Sequence, residues 1–441
     1  METIIFIGSN KSGSSYEAIK ASADMRYYTV LLTDRKSFFD KRTDFPHVHS
    51  MRLCDLNDTD EIRSAVGRLA GDRFTIRAIV SFIDPYCHAA AVLSREFGLK
   101  YFNGDAIALM LDKVKSRNIL AGTPYAPFYR VADGGALTMR ARREMPLVLK
   151  APASSASRDV HMAWTAGQYQ KAFAELKARY PDAPVLAEKF INGPQYLVET
   201  LTVNGRVNII AIIEQEITFT GRFIVTGYKM AGGGGAFYDK LKQAAVSIAG
   251  LHGMRDGPCH LELRRSGGEW KLIEANPRIS GGAMNLFIET AYGVNLAKET
   301  LRLALGFEPD IGHKYRKETF LQYVVVPEGG VLVKVTGKNA ARVSPGVEHV
   351  YVKPKKGSLL MPPVSMGQRY AYVIGTGATS DEAMKNAKTG ASKIKFHLSA
   401  ADGAVPPAIV NKDLGPFSDN VVMVPTEESQ NACWVAAQTR A

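Results

Sequence analysis

Four side chains past the middle of the sequence could hold a metal ion and an anion together. They are Glu262, Glu274, Asn276 and Arg278, in the stretch PCHLELRRSGGEWKLIEANPRISGGAM from Pro258 to Met284. Two short segments, His260 to Arg264 and Trp270 to Glu274, flank Ser266, Gly267 and Gly268, and each alternates apolar with polar as a half-buried strand does. The pattern is a β-hairpin. A three-residue, Gly-containing connection sets Glu262 directly opposite Glu274, with Asn276 on the same face two positions on, whereas a strict two-residue Gly-Gly turn sets the acids on opposite faces. The odd-length connection is expected, because two carboxylates and an amide oxygen facing one another suit a hard cation such as magnesium, and without one the like charges repel. The plainer reading leaves both acids on the solvated face of an ordinary hairpin whose Leu261, Leu263 and Ile273 point into a core. The residues after the hairpin favour the chemical reading: Pro277 ends the strand, Arg278 comes two positions past Asn276, and Gly281-Gly282 lets backbone N–H groups approach a ligand closely.

Glu262, then Glu274 twelve residues on, then Ala275-Asn276-Pro277-Arg278, resembles the C-terminal signature of the ATP-grasp superfamily, whose members join a carboxylate to an amine or similar nucleophile using ATP. The resemblance implies that Glu262, Glu274 and Asn276 bind Mg2+, with Mn2+ as the alternative ion, and that Arg278 faces the reacting phosphate. Other parts of the family pattern lie upstream in order. Asp112-Lys113, followed by Arg117-Asn118-Ile119-Leu120, resembles the start of the ATP-binding part, where Lys113 reaches a phosphate; on its own it would be a solvated helix lysine. Leu147 to Val160 (LVLKAPASSASRDV) is a hydrophobic strand ending in Lys150 and running into small residues, similar to the family's phosphate-covering loop. There a lysine and backbone N–H groups together cradle phosphates. The usual glycines are replaced by Ser154, Ser155, Ala156 and Ser157, which implies a stiffer loop. Val185 to Glu199 (VLAEKFINGPQYLVE) resembles the adenine hinge: Glu188 meets the adenine amino group, and the backbone of Lys189, Phe190 and Ile191 reads the ring edge. Gln195 stands where a Glu is often found.

The elements that must position these residues imply α/β and α+β architecture. The family's fold would have an N-terminal parallel α/β domain, a two-lobed ATP-binding region and a β-rich C-terminal lobe. In residues 1–105, Ile4 to Ile7, Thr29 to Leu32 and Ile79 to Ile83 read as strands, Ile62, Val66 and Leu69 share a helix face, and Ala89 to Phe97 is a second helix. Such alternation implies a parallel sheet that binds ligands at its carboxyl ends, here Gly8-Ser9-Asn10, Asp34 and Asp84-Pro85-Tyr86. Residues 106–195 would form the lobe with the phosphate loop and hinge, with a helix from Ala166 to Arg179 that buries Tyr169, Phe173 and Leu176. Residues 196–315 would form the catalytic lobe. It contains strands Val207 to Ile213 and Phe223 to Thr226, a mobile glycine run at Gly232 to Gly235, and a helix from Ala244 to Leu251; Glu216 is offered to the incoming amine. Residues 316–400 read as the β-rich lobe, from Phe320 to Val326, Val331 to Val335, His349 to Val352 and Tyr370 to Ile374, closed by a helix capped by Ser380 and ending near Lys395. This lobe resembles the last part of the L-amino-acid (dipeptide) ligases. Ala383-Met384-Lys385 resembles a biotin-attachment site but sits mid-helix and reads as structural. The tail, 401–441, carries no strong signal.

Composition bounds the function classes. At 441 residues, with 46% hydrophobic and 22% charged residues, the chain can build about three ordinary globular domains. Met1 to Ile7 is neither a signal peptide nor an anchor, and no apolar run is long enough to span a membrane, so the cytoplasm is expected. Four scattered cysteines, Cys54, Cys87, Cys259 and Cys433, argue against zinc and disulfide frameworks. The net charge of +12 allows nucleic acid and a polyphosphate equally well, but the basic residues are spread and not blocked, so a nucleic-acid partner is not expected. Gly8 to Ser15 (GSNKSGSS) is a weak P-loop or dinucleotide lookalike, with Asp34 placed as a ribose-binding acid would be. The resemblance therefore implies an ATP-dependent carboxylate-amine ligase that forms an amide bond between small amino-acid-like substrates through an acyl phosphate, as monomer or homodimer. A biotin-carboxylase-like or purine-pathway enzyme is the rival within the superfamily. From other classes come an NAD-dependent oxidoreductase and a non-catalytic nucleotide-binding protein. No residue declares itself as the base for the amine, although His260 shares a strand face with Glu262.

Overall fold

The computed structural model describes residues 1–71, 73–132, 134, 136–152, 159–219 and 223–400, together with the backbone of Val421–Met423. The segment 153–158, which contains Ser154, Ser155, Ala156 and Ser157, lies outside the described residues, as does all of the tail but that short strand.

β-branched and aliphatic runs near the start form a four-stranded parallel sheet, β1 (Glu2–Ile7), β2 (Tyr28–Thr33), β3 (Ser50–Leu53) and β4 (Thr75–Val80), in the order β3-β2-β1-β4. Alternate sides of β1 face different cores: Ile4 and Phe6 pack in one cluster, Ile5 and Ile7 in another. The strand order reverses between β1 and β4, and at such a switch point the loops at the carboxyl ends of the strands part to leave a crevice. Asp84 opens the helix Asp84–Glu96 at that crevice, with Pro85 in its first turn, where a missing N–H costs nothing. β3 is a four-residue edge strand with only Met51 buried, which explains why no alternation marks it in the sequence.

A second sheet, antiparallel, is built from β5 (Tyr129–Ala132), β6 (Leu147–Lys150), β7 (Val160–Ala163) and β8 (Val185–Lys189), in the order β5-β8-β6-β7. The helix Ala166–Arg179 covers it through Tyr169, Ala172 and Leu176; Thr165 and Gln168 form a reciprocal capping box at its start.

The largest sheet begins with β9 (Gln195–Val203), β10 (Arg206–Phe219) and β11 (Phe223–Ala231), followed by the hairpin β12 (Gly257–Ser266) and β13 (Glu269–Asn276). It continues through β14 (Glu318–Val324), β16 (Val347–Val352) and β18 (Ala371–Gly377), in the order β13-β12-β9-β10-β11-β14-β18-β16. The strands after residue 316 thus extend the same sheet through the β11–β14 pairing, with Gly227 against Gln322. β15 (Gly330–Thr336), β17 (Leu359–Leu360) and β19 (Lys395–Ser399) make a small separate sheet. Val421–Met423 pairs in parallel with Ile217, Thr218 and Phe219 of β10.

Some helix ends differ from the sequence reading. The helix expected from Ala244 starts at Ala236, directly after the glycine run. The cap expected at Ser380 is Thr379, whose hydroxyl accepts from the Glu382 N–H, and the helix Ser380–Ser392 ends before Lys395, which opens β19. Among the described residues no helix is long and apolar enough to cross a membrane.

Candidate active site

One face of the largest sheet, the flank of the four-stranded antiparallel sheet, Asp84 after β4, and Met366 and Arg369 of the C-terminal stretch line a cavity of about 370 Å³. Lys113, Lys150, Glu188, Lys189, Phe190, Ile191, Glu262, Glu274, Asn276 and Arg278 all line it. Residues 165 positions apart in the chain are thereby brought to one place.

The hairpin sets the acids. Glu262 is paired directly with Glu274, and His260 with Asn276. The connection is nevertheless not the expected odd-length one. Ser266 pairs with Glu269 around a two-residue Gly267-Gly268 turn, and both glycines have positive φ, 59° and 85°, as a tight hairpin of this twist requires. The ladder shifts between Glu262 and Leu263, so that Leu263 faces Leu272 and Ile273 is the extra residue of a β-bulge. That single inserted residue restores the two acids to one face. The Ile273 carbonyl, thrown out of the regular ladder, accepts a hydrogen bond of 2.6 Å from the Arg117 guanidinium.

Cations meet these acids from other elements. Lys113 starts a short helix capped by Asp112, and its Nζ lies 2.9 Å from Glu274 Oε1 and 3.1 Å from the Pro152 carbonyl. Arg117, one turn further along that helix and 1% exposed, forms an ion pair with Glu188, as does Lys150 from the end of β6. The spacing of Lys113 and Arg117, four residues apart on one helix face, was the signal that could have added Arg117 to the site. Burial alone would neutralise Glu274; Lys113, and beyond it Lys150 and Arg278, outweigh burial and hold the carboxyl down to about 2. Glu188 is likewise held below the usual carboxylate range, against burial, by Arg117 and Lys150. Burial, helped by Arg117 and Lys113, in turn lowers the Lys150 ammonium despite Glu188.

The hinge is placed at a crossing between sheets, not within a hairpin: β8 belongs to the four-stranded antiparallel sheet and β9 to the largest one. The Lys189 N–H donates to the Phe128 carbonyl and the Phe190 N–H to the Pro146 carbonyl, so these two amides are committed to the protein. The Ile191 carbonyl accepts from Arg264, which sits over the Phe190 ring at 5.3 Å and whose pKa burial lowers to about 10. Gln195 links both sides: its amide nitrogen donates to Glu262 at 2.7 Å and its oxygen accepts from Arg264 at 2.7 Å.

Arg278 is not free in the cavity. Its guanidinium donates to Asp84 of the N-terminal domain at 2.5 Å, and Asp84, against the cost of burial, raises the arginine's pKa further above its already high value. His260 is sandwiched between Glu199, at 2.6 Å from Nδ1, and Glu262, at 3.3 Å from Nε2, with the Ser280 hydroxyl beside it. Burial opposes its charge, but the two carboxylates, Glu199 first, raise its pKa to about 10, which favours the imidazolium over the form that accepts a proton. Glu216, expected to face the amine, lies off the cavity: its carboxylate pairs with Lys388 at 2.6 Å, while its neighbours Gln215 and Ile217 face in.

The donor set suits a divalent ion. Two carboxylates stand directly across one strand pair at the cavity wall, one of them fixed in its ionised form, with an amide oxygen next on the same face. Hard oxygen donors of this kind fit magnesium. Among the described residues no group of three or more His, Cys, Asp and Glu side chains could hold a metal ion, so such a set would need Asn276 and a ligand's own oxygens.

Comparison with known proteins bears on this geometry. Residues 143–285 match the family model of the ATP-grasp domain, and residues 322–399 match that of the L-amino acid ligase C-terminal domain 2. An uncharacterized protein of Sinorhizobium fredii is 23% identical over 90% of this chain and 83% of its own length. Carnosine synthase 1 of Mus musculus is 26% identical over 55% of this chain, which spans 32% of that protein. Of solved structures, L-amino acid ligase from Bacillus licheniformis superposes with a TM-score of 0.76 at 16% identity, covering 90% of this chain and 99% of the other. Phosphoribosylglycinamide synthetase from Anaerococcus prevotii gives 0.72 at 13% identity, covering 90% of this chain and all of that one. The same fold serves more than one substrate class.

Proposed function

From an ATP-grasp protein that carries the C-terminal domain of the L-amino acid ligases, an ATP-dependent, ADP-forming C–N ligase, we infer a specific reaction. The carboxylate of one amino-acid-like substrate is joined to the amine of another through an acyl phosphate, releasing ADP and phosphate. The observation that carries this reading is the convergence of Lys113, Lys150 and Arg278 on a cavity whose wall holds the cross-strand pair Glu262 and Glu274.

A substrate carboxylate, with a reference pKa of about 4, is already anionic at neutral pH and needs no base to attack a γ-phosphate. The obstacle is repulsion between two anions. Lys113 and Lys150 supply positive charge beside the acids, in a partly buried site, where each charge acts more strongly than in bulk solution. Glu262, Glu274 and Asn276 would hold magnesium, which would neutralise and orient the triphosphate. Arg278, fixed by Asp84, stabilises negative charge on the acyl phosphate and on the tetrahedral adduct, with backbone N–H groups near Gly281-Gly282 as further donors. Phe190, Ile191 and Arg264 enclose the end of the cavity where the adenine would lie.

Carboxylate- and amine-dependent ADP release by the purified protein should fall by at least about 100-fold in Glu274→Ala and in Arg278→Ala. Full activity in both variants rejects the assignment. Pairwise addition of amino acids, with product masses read by spectrometry, identifies the substrates. Bicarbonate-dependent ADP release in the absence of any amine would move the reading to the carboxylase branch of the fold.

A further inference from the structure

Glu199, in the middle of β9, is a carboxylate with 0% exposure, so it can touch neither nucleotide nor substrate. It stands directly across the ladder from His260 of β12, which in turn stands across from Asn276 of β13. Donors converge on it: His260 Nδ1 at 2.6 Å, the Ser280 N–H at 3.2 Å and the Ser280 hydroxyl. Burial opposes its charge, but His260 and Ser280 outweigh burial and keep the carboxyl below the usual carboxylate range. Acid, imidazole and hydroxyl in contact invite comparison with a nucleophilic triad, yet the geometry excludes one. Ser280 and Glu199 both meet His260 at Nδ1, whereas a triad needs them on opposite ring nitrogens. The far nitrogen, Nε2, lies 3.3 Å from Glu262 Oε1. A charged group in such a place does little for stability, since apolar residues of similar volume often pack as well or better.

What Glu199 does hold is two segments of the site. Through His260 it reaches Glu262, whose other carboxylate oxygen, Oε2, accepts from Gln195 at 2.7 Å. Through Ser280 it reaches the loop that carries Arg278 two residues earlier, and the Ser280 carbonyl is gripped in turn by the Ser14 hydroxyl at 2.6 Å. We propose that Glu199 is a positioning residue for the ligation: by one arm, through His260, it sets the acid Glu262, and by the other, through Ser280, it sets Arg278. The proposal rests on the ligase reading and adds to it a residue that does not line the cavity. The two arms have different consequences. The His260 arm governs how well the acids hold a divalent ion, because a ligating carboxylate binds well only when its own hydrogen bonds orient it. The Ser280 arm governs where the guanidinium stands. It therefore governs the rate of the step in which negative charge builds up, since a displacement of about 1 Å in such a group costs about 100-fold.

The test separates the arms. Glu199→Gln keeps the shape but turns an amide NH2 against groups that themselves donate. In the full chain it should lower kcat by about 10- to 100-fold, with KM for MgATP within about threefold. It should also weaken Mn2+ binding in the presence of ADP by about 10-fold, read from the electron paramagnetic resonance of free Mn2+. His260→Asn keeps a donor toward Glu199 but has none that reaches Glu262; it should weaken Mn2+ binding by about 10-fold, with kcat at saturating Mg2+ within about threefold of wild type. Ser280→Ala should lower kcat by about 10-fold while Mn2+ affinity stays within about twofold. A residue that only stabilises the fold would move both readouts together with Tm. Parallel loss of both readouts in His260→Asn and Ser280→Ala overturns the proposal, as does Glu199→Gln with kcat and Mn2+ affinity within about twofold of wild type. If Glu199→Gln does not fold, the other two variants decide alone. If no carboxylate and amine pair is turned over at all, the ligase reading fails by itself, and Mn2+ binding with ADP decides. Binding weakened in Glu199→Gln and His260→Asn but not in Ser280→Ala supports Glu199 as the anchor of the metal acid; binding unchanged in all three, or absent from the wild type, overturns it.

Discussion

Burial acts on three carboxylates of this protein with opposite results. Glu274 and Glu188 lose water yet stay ionised, because Lys113 faces one and Arg117 and Lys150 face the other. Glu17, in the helix Ser14–Asp24 where it packs against the helix Met284–Tyr292, also loses water, but it receives a neutral hydrogen bond of 2.7 Å from Asn285 and feels Glu289 nearby, and the more distant Lys20 does not make up the loss. Its pKa rises to about 7. An unfolded glutamate titrates near 4.3, so between these values the native state binds more protons than the unfolded state, and stability falls as pH rises through that window. Glu17→Gln removes this penalty. The variant should match the wild type near pH 4 and exceed it above pH 7 by on the order of 1–3 kcal/mol, read as a gap in urea midpoints that opens between pH 5 and pH 8. A gap of equal size at both pH values refutes the account. The sequence exposed the acids that sit in a recognisable pattern, Glu262 and Glu274, but not Glu17, because a lone acid on a helix looks the same whether it is solvated or buried against a second domain.

At the scale of the element, the hairpin carries the site through its bulge. Counting residues across Gly267-Gly268 alone puts Glu262 and Glu274 on opposite faces, and only the extra residue at Ile273 returns them to one. The bulge leaves no mark in the sequence, since Ile273 is β-branched and apolar like any strand residue; the expected register was therefore reached by the wrong turn. The turn accordingly sets stability and the bulge sets chemistry. Neither glycine of the turn has an atom within 4 Å of where a Cβ would stand, so Gly267→Ala with Gly268→Ala strains only the backbone, at roughly 1–2 kcal/mol per residue. That double variant should lose about 2–4 kcal/mol in denaturant titration while its kcat at 25 °C stays within about twofold of wild type. A collapse of kcat in the folded variant would mean that the turn, and not the bulge, holds the acids in register. The other elements were legible to the degree that periodicity marks them. The central strands of the N-terminal sheet stand out as apolar runs, whereas the edge strand β3, exposed at two of its four positions, does not.

At the scale of the whole molecule, the proposed catalytic arginine belongs to one domain and its anchor to another. Arg278 follows β13 in the large sheet, and Asp84 stands 194 residues earlier at the switch point of the parallel sheet. Beside that ion pair the two parts are bolted backbone to backbone: the Ser14 N–H donates to the Gly282 carbonyl at 3.1 Å and the Ser14 hydroxyl to the Ser280 carbonyl at 2.6 Å. Gly13 makes room for this contact, since with φ at 80° a Cβ on it would stand 2.6 Å from the Gly282 oxygen. None of this could be read along the chain, because Asp84 and Gly13 become partners of the 278–282 loop only when the N-terminal sheet docks. The docking predicts a separation of effects. Asp84→Asn keeps the shape but takes the charge from behind Arg278, leaving the guanidinium free to swing, so kcat should fall by about 10- to 100-fold with KM for MgATP within about twofold. Asp84→Glu, which restores the charge at a longer reach, should recover part of that loss. Gly13→Ala instead pushes the loop that comes after Arg278 and should lower kcat together with thermal stability. If Asp84→Asn raised KM for MgATP and left kcat unchanged, Arg278 would be a binding group for the nucleotide, and the N-terminal domain would have no part in holding the group that stabilises the reacting phosphate.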